Sequence, residues 1–191
     1  MFTQKKKYYL FIENTRDFNL NLIKIRNKIN IIYRNKNTTD NIQDLLNFRK
    51  NCKKKGVNFF VANDKKLLSK LDADGLYISA HNVNLLLNIF SKSKYKIIGS
   101  AHNRKEVDIK IKQGCKTIIY SRLFETGYDY KKSYLGVIKF NIISHRLKQN
   151  LVPLGGINEK NLCKMNSVVS NSFACLSAIK KKPAKIINRL F

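Results

Sequence analysis

Lys96-Ile97-Ile98-Gly99, then Glu106-Val107-Asp108-Ile109-Lys110-Ile111-Lys112-Gln113, then Thr117-Ile118-Ile119-Tyr120 form a short β-branched run, an amphipathic stretch and a second β-branched run. The outer runs lack in/out alternation. Strands covered on both faces read this way, as in a parallel sheet flanked by helices. The middle stretch sets Val107, Ile109 and Ile111 among polar residues. Asn103 stands before it with Glu106 three residues on, an approximate capping box. The unit is strand, helix, strand.

The same alternation extends in both directions. Strands are expected over residues 8–12, 29–33, 58–61, 75–78, 96–99, 117–120, 151–154 and 173–176. Helices are expected over 41–54, 82–90, 106–113, 135–147, 159–165 and 184–190, with Asp40 as the start signal of the first. Only Pro153 and Pro183 interrupt as prolines and no Ser/Gly tract intervenes, so residues 1–191 read as one domain. Eight units in 191 residues leave about 24 each, compact beside the ~250 residues usual for a (β/α)8 barrel. An open doubly wound sheet would use the same alternation. Eight units close more naturally than they splay, so the expected class is α/β, a compact single-domain (β/α)8 TIM barrel.

Hydrophobic residues at 43% and charged residues at 26% describe a globular chain rather than a disordered one. No apolar run approaches the ~20 residues of a membrane helix, and the N-terminal Lys cluster is followed by too short an apolar stretch for a signal peptide. Cys52, Cys115, Cys163 and Cys175 have no zinc-ligand spacing. Free thiols in a reducing cytosol are expected. Thirty-eight Lys and Arg against 12 Asp and Glu give a net charge of +26. That excess has two sources to weigh: selection for anionic partners, and a genome bias that favours Lys, Asn and Ile.

In a barrel, chemistry sits just past the C-terminal strand ends. After the second strand, Arg34 and Lys36 lie two residues apart, so an extended chain points both the same way, toward a phosphate or pyrophosphate. After the third come Asn63 and Asp64, which suit Mg²⁺ in company with substrate phosphates and equally suit a helix N-cap. After the fifth come Ser100 and His102. After the sixth, residues 121–133 make the longest strand-to-helix connection, a candidate substrate loop. After the seventh, Gly155-Gly156 allows close backbone approach to an anion or simply a tight turn. Ser177 follows the eighth.

With these residues in order, the chain resembles the thiamine-phosphate synthase/TenI family of (β/α)8 barrels. The family's Gln-x-Arg-x-Lys is Ile32-Tyr33-Arg34-Asn35-Lys36, and its Asn-Asp pair is Asn63-Asp64. Its Ala-Asp-Gly-apolar-His is Ala73-Asp74-Gly75-Leu76-Tyr77. Its Ser-x-His, Phe-x-Thr, Gly-Gly-Ile and Ser-Ala-Ile are Ser100-Ala101-His102, Phe124-Glu125-Thr126, Gly155-Gly156-Ile157 and Ser177-Ala178-Ile179.

The resemblance implies joining of a hydroxymethylpyrimidine diphosphate to a thiazole phosphate, with loss of pyrophosphate. It implies Arg34 and Lys36 on the pyrophosphate, Asn63 on the diphosphate and Ser100 on the pyrimidine. It implies Asp64 and Asn82 on Mg²⁺, and Thr126, Gly155, Gly156, Leu176 and Ser177 around the thiazole phosphate. The partners are then small phosphorylated molecules, with no membrane. A homo-oligomer is admitted, since nothing in the sequence fixes the number of copies.

Besides Tyr77 at the His of the fourth motif, the chain departs from the family at four places. Ile32 replaces the Gln. Asn82 stands where a second metal carboxylate belongs, after Ser79-Ala80-His81 in place of Gly-Gln-Glu. Tyr128 and Asp129 fall near the positions of a Thr and a Lys, for which Lys131 or Lys132 could serve only after a loop shift. Arg122 falls at the histidine of the thiazole-phosphate tautomerase branch, the alternative activity. A third alternative, nucleic-acid binding driven by charge, lacks any stacking motif or nucleic-acid module.

Overall fold

The computed structural model describes residues 7–23, 26–35, 40–127 and 133–175. Eight strands pair in chain order and close on themselves. They are β1 (Lys7–Ile12), β2 (Ile29–Tyr33), β3 (Asn58–Ala62), β4 (Gly75–Ile78), β5 (Lys96–Ala101), β6 (Thr117–Ser121), β7 (Asn150–Leu154) and β8 (Ser172–Cys175). Every pairing is parallel, including the closing one of β8 with β1. All strands therefore present their C-terminal ends to one rim. The open doubly wound sheet is excluded.

The strands are apolar on both faces because both faces are buried. Phe59 and Phe60 are neighbours on β3 and point opposite ways. Phe59 joins the outer layer, 5.8 Å from the Phe48 ring centroid, and Phe60 joins the barrel interior. Tyr9, Phe11, Ile32, Tyr77, Ile98, Ile119, Val152 and Ala174 fill the rest of that interior. Each such large side chain taken out of water contributes roughly 1.5–3 kcal/mol. The barrel is a packed core with an open rim, not a pore.

Among the described residues, four α-helices cover the outside: α1 (Ile42–Lys55), α2 (Lys65–Lys70), α3 (Arg104–Lys112) and α4 (Gly136–His145). α1 is capped by Asn41, which accepts the Gln43 N–H, and not by Asp40. Asp40 instead accepts the Thr15 N–H at 3.0 Å and ties α1 to the loop after β1. α2 is absent from the sequence expectation because six residues with one fully buried side chain, Leu68, show no helical period. Over residues 82–90 a 3-10 helix, Leu85–Lys92, replaces the expected α-helix. Only Leu87 of its apolar residues is buried, while Val83, Leu85, Leu86 and Ile89 are exposed, so little packing holds a longer helix. Residues 159–165 likewise give a short 3-10 helix, Leu162–Ser167. The helix expected over 184–190 lies outside the described residues.

Among the described residues, no helix is long and apolar enough to cross a membrane. Cys52, Cys115 and Cys175 are buried thiols, and burial pushes each up to about 12. Cys163 is exposed.

The N-terminal end of the barrel is tied by partly buried polar contacts. Asp74 accepts the Phe59 N–H at 2.7 Å and pairs with Arg49 at 3.1 Å, and Asn58 donates to Asn30 at 2.8 Å. These contacts sit at the rim opposite to the C-terminal strand ends and belong to stability.

Candidate active site at the C-terminal rim

Arg34 follows the interior residue Ile32 by two positions, so it rises from β2 into the mouth. It lies close enough to the buried phenol of Tyr77 for its charge to oppose the upward push of burial and, with the Ser100 hydrogen bond, to lower that phenol. Lys36, the other member of the expected clamp, lies outside the described residues, as do Leu176 and Ser177.

Asn63 joins the ends of β3 and β4. Its Oδ1 accepts from the Ser79 N–H and from Asn82 Nδ2, both at 3.1 Å, and its Nδ2 donates to Ser79 Oγ at 3.1 Å. It does so with φ at +58°, a left-handed conformation that Asn tolerates better than most residues. Asn82 Oδ1 in turn accepts the Asn84 N–H at 3.1 Å.

Asp64 is the N-cap of α2, with Oδ1 accepting the Leu67 N–H at 2.9 Å. Its Oδ2 has no partner among the described residues, and the side chain is exposed. One carboxylate oxygen and a carboxamide fit an Mg²⁺ that arrives on substrate phosphate oxygens and keeps its waters. They do not make an all-protein cage. Among the described residues, no group of three His, Cys, Asp or Glu could hold a metal.

Two residues of this rim escape sequence reasoning. Lys110 is completely buried, although it reads as one of many solvated lysines. Its Nζ donates to the Asn82 carbonyl at 2.7 Å and to Gln113 Oε1 at 2.9 Å, while Gln113 Nε2 donates to the Asn82 and Asn84 carbonyls. Burial pulls the Lys110 ammonium below the usual lysine range, against the opposing effects of Cys115 and Glu106. The pair holds down the loop that carries Asn82. The available signal is Gly99: a Cβ there would lie 2.9 Å from the Lys110 stem, so the glycine makes its channel. On α3 the buried positions are Val107 and Lys110, not the expected Ile109 and Ile111, which are half-buried.

The other residue is Tyr77, whose hydroxyl meets Ser100 Oγ at 2.8 Å in the mouth. Its signal is parity: Gly75, Tyr77 and Ser79 alternate with outward residues along β4.

His102 caps α3 jointly with Asn103. Asn103 Oδ1 accepts the Glu106 N–H at 2.9 Å, and Glu106 Oε2 accepts the His102 N–H at 2.7 Å. The expected capping box is thus shifted one residue back on its return bond. Burial pushes the Glu106 carboxyl up, but bonds from the His102 backbone, the His102 ring and Asn103 outweigh it and hold it below the usual range. His81 and His102 stack with ring centroids 6.1 Å apart.

At the far side of the rim, the loop after β6 lies on the loop after β7. The Leu123 N–H donates to the Leu154 carbonyl at 2.9 Å and the Phe124 N–H to the Gly155 carbonyl at 3.0 Å. Gly156 has φ at +68°, and a Cβ there would lie 2.2 Å from the Glu125 carbonyl oxygen. The glycine pair is therefore demanded by contact between two loops as well as by any anion. Arg122 Nη1 donates to Thr126 Oγ1 and Nη2 to the Ser133 carbonyl, each at 2.7 Å, so it staples the loop that carries Thr126.

Arg34, Asn63, Asp64, Ser100, Thr126 and the glycine pair thus ring one end of one closed barrel. The family described as thiamine monophosphate synthase matches residues 6–179 of this chain. The chain belongs to that family.

A thiamine-phosphate synthase of Prochlorococcus marinus is 30% identical over 154 residues, covering 78% of this chain and 44% of that protein. A second, from Prochlorococcus marinus subsp. pastoris, is 26% identical over 144 residues, covering 75% and 41%. The chain therefore spans less than half the length of these two relatives. Among solved structures, a thiamine phosphate pyrophosphorylase from Pyrococcus furiosus shares the fold with a TM-score of 0.71 at 17% identity, covering 98% of each chain. A 2-keto-3-deoxy-6-phospho-gluconate aldolase from Zymomonas mobilis shares it with a TM-score of 0.63 at 10% identity, covering 98% of this chain and 93% of that one. At such identities, these two likenesses concern fold.

Within the family's frame, the departures acquire a geometry. Asn82 is wired into an amide network rather than offering a second carboxylate. Arg122, at the tautomerase position, is a staple.

Proposed function

We propose that the chain is a transferase of thiamine biosynthesis, joining a hydroxymethylpyrimidine diphosphate to a thiazole phosphate with release of pyrophosphate. The observation that carries this reading is the placement of Arg34 and the Tyr77–Ser100 pair in one mouth, with Asn63, Asp64 and the Gly155–Gly156 loop around the same rim. Two anionic substrates can then be gripped from opposite sides with their reactive ends over the barrel centre.

In the reaction, the thiazole nitrogen forms a bond to the exocyclic methylene carbon of the pyrimidine. The carbon–oxygen bond to pyrophosphate breaks, and its electron pair leaves with the oxygen. Negative charge grows on the leaving group, so a fixed guanidinium stabilises the transition state more than the ground state. Arg34 fills that role, assisted by Lys36. Ser100 orients the pyrimidine, and Asn63 holds the diphosphate. Thr126, Gly155, Gly156, Leu176 and Ser177 surround the thiazole phosphate. Asp64 and Asn82 would hold Mg²⁺, which when bound adds positive charge at the phosphate oxygens. No general base is required, because positioning and electrostatics carry a displacement of this kind.

The tautomerase reading needs a group that exchanges a proton near neutral pH. Arg122 keeps its protons in proteins and is committed to Thr126 and Ser133. That weighs against it and leaves His81 or His102 to move the proton.

The test is purified protein with both substrates, with and without Mg²⁺. Formation of thiamine phosphate and pyrophosphate in equal amounts is the expected result. No product, together with binding of thiazole phosphate alone, would replace this reading with a non-synthase role for the same rim. Binding of RNA at physiological salt without either substrate would point to the third alternative.

A further inference from the structure

We propose that Tyr77 is a specificity-determining residue that fixes Ser100 as a hydrogen-bond donor toward the mouth, so that the ring bound there must present an acceptor atom. This rests on the reading above and goes beyond it by assigning the polarity of the ring site and the residue that sets it.

Tyr77 and Ile98 are partners across β4 and β5, and Ser100 stands two residues past Ile98, one step nearer the mouth. The Tyr77 side chain is 3% exposed. Its ring sits edge-to-face against Phe11 at 5.3 Å, which leaves little freedom to turn. The residues that pack with it inside the barrel are Tyr9, Phe11, Ile32, Phe60, Ile98, Ile119, Val152 and Ala174. Tyr9 is bonded to Thr117, near the other end of the barrel. Among the described residues, Ser100 Oγ is the acceptor within reach of the Tyr77 hydroxyl, at 2.8 Å.

Two polarities exist for a hydroxyl pair. If Ser100 donated, the buried phenol proton would have no acceptor among the described residues, and an unsatisfied buried donor is costly. If Tyr77 donates, its proton is satisfied, and the Ser100 proton is left to point outward. The second polarity is the one the surroundings favour. Burial also raises the phenol above its ordinary range, with Ser100 and Arg34 opposing, so the hydroxyl keeps its proton across physiological pH. Ser100 has one proton, and no acceptor for it is found among the described residues. The mouth therefore offers a donor. A ring nitrogen of a pyrimidine or an exocyclic carbonyl satisfies it, and a ring that presents only C–H leaves it unpaired.

The experiment is binding calorimetry on the full chain with three probes. These are the hydroxymethylpyrimidine diphosphate, its benzenoid analogue with C–H in place of both ring nitrogens, and inorganic pyrophosphate. Wild type should prefer the pyrimidine over the benzenoid probe about tenfold. Tyr77→Phe should cut that preference to about twofold or less while pyrophosphate affinity stays within twofold. Ser100→Ala should do the same, and the double variant should lose no more than either single one. Should Tyr77→Phe not fold, Ser100→Ala alone decides by losing or keeping the preference. A preference kept in either variant, or absent from wild type, overturns the inference while diphosphate binding leaves the proposed reaction standing. Loss of pyrophosphate affinity in Tyr77→Phe assigns Tyr77 a merely structural role and also overturns it. Wild type that binds neither the pyrimidine diphosphate nor pyrophosphate overturns the proposed reaction, and this inference with it.

Discussion

The rim over β3, β4 and β5 and the rim over β6 and β7 close the same barrel by different means. At β3 and β4, side chains make the joint: Asn63 bonds to Ser79 and Asn82, Lys110 and Gln113 hold the Asn82 carbonyl, and Tyr77 meets Ser100. At β6 and β7, backbone makes it: Leu123 and Phe124 bond to the Leu154 and Gly155 carbonyls, and Gly156 lies against the backbone of Phe124 and Glu125. Arg122 adds a side-chain staple across that loop. A joint made of side chains can change its chemistry one residue at a time. A joint made of backbone contacts has no side chain to exchange, and any added atom moves two loops. Ser79-Ala80-His81-Asn82 at the first joint departs from the family's form, while Gly155-Gly156-Ile157 at the second keeps it.

The largest test of that contrast is Gly156→Val. A Cβ at 2.2 Å from one carbonyl oxygen and 2.6 Å from another cannot be absorbed by rotating a side chain, and φ at +68° adds strain for a β-branched residue. A loss of about 3 kcal/mol or more in urea unfolding is expected, together with loss of inorganic phosphate binding. Stability equal to wild type would show that the β6–β7 joint is not built of backbone contact.

The intermediate test is Asn63→Ala. It removes three hydrogen bonds and leaves a non-glycine residue at φ +58°. The site is exposed, so water replaces part of the loss, and about 1–2 kcal/mol is expected in the same measurement. Pyrophosphate affinity should fall as the ends of β3 and β4 separate. A cost as large as that of Gly156→Val would erase the distinction between the two rims.

The smallest effect concerns pH. The Glu106 carboxyl lies below its unfolded value of about 4.3, so the unfolded chain binds the proton more readily. Its contribution is complete above that unfolded value and is lost as pH falls through the folded one. Glu106→Gln should therefore cost about 0.5–1 kcal/mol at pH 7, and the cost should vanish once the pH has fallen through the lowered folded value, read from urea midpoints across pH. A cost that does not change with pH would mean that the His102 and Asn103 bonds do not depend on the charge.

Strand positions were legible because each strand is a compact apolar run, and a run is a local pattern. The eightfold alternation carried the barrel, and the Gly-Gly after β7 pointed to its candidate rim. Helix register was less legible: Ile109 and Ile111 share the apolar character of Val107, yet Lys110 takes the inner position because Gly99 leaves a channel for its stem. α2 was invisible because six residues hold too few turns for a period. Asp64 illustrates a residue whose two readings meet, since one oxygen caps α2 while the other faces outward.

Composition, run length and spacing alone determined that this chain alternates eight strands with helical cover and sets Arg34, Asn63, Asp64, Ser100 and a glycine pair just past strand ends. Those are properties of neighbours along the chain. Which polar groups bond to one another was decided only by closure of the barrel, because Tyr77 and Ser100, Asn63 and Asn82, or Arg122 and Ser133 are brought together by strand pairing and loop packing that no local pattern encodes.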